Sequence, residues 1–191
     1  MNPFGRFTFA CALTCMALGC EKTGDRNAAT VVADTTVAAA TADTPPTDRE
    51  IAHILQTSNA VILRQASLAK SRLQRGAGRA LADSLIAEHT AYNLRAQRTF
   101  LAVNTVPEEH EHSEGLVSRG AEVRRRLEGS SEADFERAYI ADVVTVHHEL
   151  IDLVDQILIA NARDPFLREL LQEYRVMLER HLDSARRASA Y

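Results

Sequence analysis

From Thr47 onward, apolar residues return every three or four positions, the spacing that places them on one face of an α-helix. Ile51, Leu55, Ile62, Ala66, Ala69 and Leu73 mark a first helix over about 48–75, with Thr47 or Asp48 as its cap and Glu50 in its first turn. "RGAG" at 75–78 breaks that run, because two glycines in four residues favour a turn. A second helix follows over about 79–104, with Leu81, Leu85, His89, Tyr92 and Ala96 on one face. Pro107 ends the region, and "EEHEHSE" at 108–114 reads as a polar link. Leu116, Val123 and Leu127 predict a third, shorter helix. Ser130 or Ser131 can cap a fourth over about 132–161, whose stripe is Phe135, Tyr139, Val143, Val146, Leu150, Leu153, Val154, Ile157 and Leu158. "ARDP" stops it, since the residue before a proline avoids helical angles and Pro165 suits the first turn of a new helix. The fifth runs over about 165–188, with Leu167, Leu171, Tyr174, Leu178, His181 and Ala185 inward. No period-two strand, glycine-rich phosphate loop or repeat interrupts this pattern. The fold class is therefore all-α, an antiparallel bundle of about five long helices joined by short links.

The N-terminal part has a different texture. "MNPFGRFTFACALTCMALGC" carries Arg6, then an apolar run over 7–19, then Cys20. That is the layout of a secretory signal, and the run is too short for a comfortable membrane span of roughly 20 residues. Its end, "MALGC", resembles a bacterial lipobox, with Gly19 just before Cys20. The resemblance implies that 1–19 is removed and that Cys20 is lipidated as the mature N-terminus. Glu21 then stands where an Asp would retain a lipoprotein in the inner membrane, which favours the outer membrane. Residues 20–47 are rich in Ala, Thr and Asp and lack aromatics, so they cannot bury enough surface to offset backbone ordering. They read as a tether to a domain over 48–191. The expected location is the cell envelope, periplasm-facing, with the membrane as partner through the lipid.

Composition narrows the chemistry. All three cysteines, Cys11, Cys15 and Cys20, precede the tether, so the domain has neither disulfides nor thiolate chemistry. A net charge of -4 offers no basic footprint for nucleic acid. Seven histidines remain. His53 aligns with Thr57 and Arg64 and reads as solvated; His110 and His112 lie in the acidic link; His148 shares a face with Asp152 and Asp155. His89, His147 and His181 differ, because three separate helices each place one of them among apolar neighbours. A buried imidazole needs a hydrogen-bond partner, and Glu88, Tyr92, Tyr139, Asp142 and Tyr174 are candidates by spacing. In one reading each histidine pairs with a carboxylate or tyrosine and fixes bundle register. In the other the three converge as a metal or proton-handling site, as side chains on facing helices can do. A di-iron centre would need a Glu three residues before a histidine, and Ile86, Val144 and Leu178 stand there instead. The expectation is a non-enzymatic protein with a histidine network and no cofactor. The alternative is a metal- or redox-handling bundle with a transition metal on His89, His147 and His181.

"ADSLIAEHTAYNLRAQ", "DFERAYIADVVTVHHELIDLVDQ", "ARDPFLRELL" and "LERHLDSARR" together resemble the DUF4142 family of bacterial exported proteins. That family carries "DHxxxN", "FDRAYxxxxVxxH" and "REHLxxA" in the same order. The resemblance places His89 and Asn93 in the first motif, Phe135, Arg137, Tyr139 and His147 in the second, and His181, Leu182 and Ala185 in the third. It implies a ferritin-like helical bundle of undefined biochemical role. Four positions depart from the pattern: Glu88 replaces an Asp, Val146 and Arg180 take places that are often acidic, and Ile62 stands where a glutamate is expected.

Overall fold

The computed structural model describes residues 44–190, and among them the chain is helical, with no strand. The expected leader over 1–19, Cys20 and all but the last residues of the expected tether lie outside the described residues. The helices are α1 (Asp48–Arg72), α2 (Ala77–Ala102), α3 (Glu111–Glu128), α4 (Glu132–Leu153) and α5 (Pro165–Ala188). α4 runs on through a π-helical turn, Val154–Leu158, and a last turn, Ile159–Asn161. No helix of the described residues is long and apolar enough to cross a membrane.

Local chemistry sets the ends. Thr47 caps α1 in a capping box with Glu50, each side chain accepting from the other's backbone N–H. Ser131 caps α4 by accepting from the Asp134 N–H, and Asp164 caps α5 by accepting from Phe166 and Leu167, with Pro165 at the first helical position. Gly76 adopts φ 99°, a value a side chain would strain, and so closes the turn between α1 and α2. The Asp48 carboxylate accepts from the N–H groups of Arg163 and Asp164 at 2.8 and 3.1 Å, fastening the link before α5 to the start of α1.

The link expected over 108–114 is shorter than the sequence suggested. His110 turns its imidazole back to accept from the His112 N–H, and Ser113 accepts from the His110 N–H, so α3 begins at Glu111. A histidine cap carries no ordinary start signal, which is why the pattern missed it. Ser113 also meets His53 Nδ1 at 3.0 Å, so His53 is half-buried rather than solvated.

Four helices, α1, α2, α4 and α5, enclose one core; α1 packs on α2, α2 on α5, and α5 on α4. α3 lies outside, against α1 and the edge of α4, and buries only Ser113, Val123 and Leu127. The core is built from the anticipated stripes: Leu55, Leu85, Phe135, Leu158, Leu167 and Leu171 are almost wholly removed from water. Burial on this scale supplies most of the stability of such a bundle, at roughly 25 cal/mol per Å² of apolar surface.

Candidate metal centre

Three histidines meet in the middle of that core. His89 comes from α2, His147 from α4 and His181 from α5, and all three are buried. Each lies on its helix's apolar stripe, so the 100° step per residue that turns Leu85 and Leu178 inward turns them inward too. Ring centroids are 5.0 Å apart for His89–His181, 5.6 Å for His147–His181 and 6.0 Å for His89–His147. One ring nitrogen from each lies within 4.8 Å of the others.

The remaining contacts fix the tautomers of His89 and His147. His147 Nδ1 is 2.9 Å from the Val143 carbonyl oxygen, which can only accept, so Nδ1 carries the proton. His89 Nδ1 donates to Asn59 Oδ1 at 2.6 Å. His181 Nε2 stands 3.2 Å from Glu88 Oε2, off the line of a good hydrogen bond but facing an acceptor. Nε2 of His89, Nε2 of His147 and both ring nitrogens of His181 are left buried with no hydrogen-bond partner. His89 and His147 thus each turn one nitrogen to an amide or a carbonyl and keep the other as a bare lone pair, while His181 has only the nearby Glu88 carboxylate.

Electrostatics keep these lone pairs available. Burial drives the His89 pKa far below its ordinary value, and the neighbouring His181 and His147 depress it further. Burial, with His181 adding to it, carries His147 down to about 3. His181 is also lowered by burial, with Glu88 opposing. Three imidazoles that are neutral at neutral pH are the protonation state in which histidine binds a metal.

The other residues picked out by spacing take separate partners. Tyr92 donates to the Leu170 carbonyl at 2.7 Å, and Tyr174 meets Ser58 Oγ at 2.9 Å. Tyr174 touches the site only with its ring edge, 6.1 Å from His89, and Tyr92 stacks on it at 4.9 Å. Asp142 pairs with Arg126 of α3, and the buried Tyr139 hydroxyl has no partner. Only Glu88 of the five stands within ion-pair distance of a triad nitrogen. Asn93 is half-buried on α2. His148, one residue from His147, points outward to Asp152 at 3.2 Å.

Asn59 is the residue that sequence reasoning missed. It is fully buried, four residues after Leu55 and three before Ile62, on the apolar stripe of α1. The test that singled out His89, a polar residue within an apolar face, applies to it equally.

With this geometry in view, the comparison with known families is informative. The family described as "Domain of unknown function (DUF4142)" matches residues 33–188, and the chain belongs to it. The match begins earlier than the helical pattern, within the stretch read as tether. No curated protein and no solved structure matches the chain.

Proposed function

We propose that this protein is a metal-binding helical bundle of the cell envelope, holding one transition-metal ion on His89, His147 and His181. The observation that carries the reading is that each of the three buried histidines has a ring nitrogen without a hydrogen-bond partner, with one nitrogen from each within 4.8 Å of the others. A histidine ligand ordinarily donates its other N–H to a carboxylate, a carbonyl or an amide, which orients the ring and raises its basicity. A purely structural network has the opposite economy, because each buried polar atom left without a partner costs about 1–3 kcal/mol. Ligand atoms on a tetrahedral ion at about 2.0–2.1 Å lie about 3.4 Å apart, so nitrogens now up to 4.8 Å apart would close by up to about 1.4 Å. Three neutral imidazoles suit zinc, copper, iron or nickel rather than calcium or magnesium. When bound, such an ion supplies a Lewis-acidic or redox centre; the chain's own part is to orient three nitrogens and keep water away with Leu85 and Val143, which pack beside His147.

Elemental analysis of the full chain, purified after growth in metal-replete medium, tests this. One equivalent of iron, copper, zinc or nickel, lost in the His147→Ala variant, is the expected result. A wild-type chain with no stoichiometric metal contradicts the reading.

The envelope part rests on the sequence of the first twenty-one residues, with Cys20 as lipid site and Glu21 favouring an outer-membrane anchor. A Cys20→Ser chain should move from the membrane fraction to the soluble one. Retention in the membrane fraction would point to an uncleaved apolar segment instead.

A further inference from the structure

The triad is sealed on most sides by apolar side chains, yet one polar connection reaches the surface. Glu88 spans it. Its Oε2 faces His181 Nε2 at 3.2 Å, while its side chain is still 35% exposed. Ser84 Oγ donates to the other oxygen, Oε1, at 3.0 Å. Over the carboxylate lies Arg180, whose guanidinium bonds Oε2 and whose side chain is 56% exposed. Among the described residues, no other carboxylate stands within ion-pair distance of a triad nitrogen.

We propose that Glu88 is the port through which a divalent cation reaches the histidines, and that Arg180 is its cap. The inference rests on the metal reading above. A cation crossing from water to three neutral ligands meets a desolvation barrier, and a carboxylate that touches both solvent and the first imidazole lowers it. Arg180 opposes this twice. It occupies the oxygen that faces His181, and its positive charge repels an incoming cation. Because its side chain is more than half exposed, it can leave by rotating into water, since an exposed ion pair holds only weakly. Capping is therefore reversible, and loading waits on the opening of one ion pair. The groove that Val61, Leu116 and Val146 line with Gln65, Arg119 and Glu149 also holds a carboxylate, but Glu149 is paired with Arg119 and stands within ion-pair distance of no triad nitrogen.

The test separates rate from capacity. Full-length metal-free protein is mixed with Co²⁺ in a stopped-flow instrument at fixed pH, and the rise of the cobalt d–d band gives the loading rate; its end point gives the stoichiometry. Arg180→Ala should load a few-fold faster, and Glu88→Gln roughly tenfold slower, in the range by which charged clefts alter encounter rates. Both should still reach one equivalent. Arg95→Ala is the control, because it removes an equally exposed cation from the Arg95–Glu173 pair, which bridges the same two helices away from the triad. It should load at the wild-type rate. If Arg180→Ala binds one Co²⁺ at the wild-type rate, or no faster than Arg95→Ala, Arg180 is only a pin between α2 and α5 and the port is wrong. If the wild-type chain binds no Co²⁺ at all, the metal reading fails and the port with it.

Discussion

His147 and His148 are neighbours in the chain with opposite environments. The first is buried between α2 and α5 with Nδ1 on a carbonyl; the second is 59% exposed beside Asp152. His147→Ala should lower stability by about 2 kcal/mol through the cavity it opens. His148→Ala should change it by less than about 0.5 kcal/mol. Thermal unfolding of both variants in the presence of chelator reads the difference, and a larger loss at His148 would mean that α4 is phased wrongly. Asn59 acts one step further out, holding the His89 ring in its tautomer. Asn59→Ala should weaken metal affinity by about 10–100-fold, measured by competition with a chromophoric chelator, while binding remains one to one. At this scale the sequence was legible wherever a polar residue interrupted an apolar stripe. The three histidines stood out because histidine invites chemistry; Asn59 obeyed the same spacing but has weaker associations. Arg126, which pairs with one oxygen of Asp142, was invisible because its partner lies on a different helix whose rotation no periodicity fixes.

Among the elements, α3 is the outlier. It buries little, and its approach to α1 depends on one glycine. A Cβ at Gly120 would come within 2.8 Å of Val61 Cγ1, whereas a Cβ at Gly115 would meet nothing within 4 Å. Both lie in the same helix, where Ala is preferred to Gly by about 1 kcal/mol. Gly115→Ala should therefore raise the midpoint of thermal unfolding. Gly120→Ala should not, since the branched Val61 side chain has to give way and overpacking costs about 1–3 kcal/mol. Equal stabilisation by both would show that α3 stands further from α1 than described. The starts of α1 and α4 were readable from Thr47 and Ser131 because each supplies an ordinary cap, and that of α5 from Pro165 at its first helical position. The start of α3 was not, because His110 does the same work with an uncommon side chain. Arg180 illustrates a related point. It stands where the family resemblance expects an acidic residue, and instead of leaving Glu88 free it neutralises it.

For the molecule as a whole, the three buried imidazoles make the metal-free fold sensitive to acid. Their folded-state pKa values lie below the ordinary 6.5, and that of His147 is near 3. The unfolded chain thus takes up protons at these sites below about pH 6.5 and the folded chain does not. Stability is retained above 6.5 and falls as the pH drops toward 3, by up to about 1.4 kcal/mol per pH unit for each histidine that titrates only when unfolded. Denaturant unfolding between pH 7 and 5, above the range where carboxylates dominate, should show this slope in the wild type and a shallower one in His147→Leu. An unchanged slope would remove His147 from the account. The overall bundle was legible because long 3.6-residue stripes separated by short links leave few alternatives. What the stripes could not reveal was which ring nitrogens remain without partners, since that depends on side-chain direction in three helices at once. Crystals grown with Zn²⁺ and measured across the zinc absorption edge would locate the ion itself. The account predicts one strong anomalous peak inside the bundle, within about 2.0–2.1 Å of a nitrogen from each of His89, His147 and His181. Zinc found only on surface residues such as His110 and His112, with the interior empty of anomalous density, would contradict it.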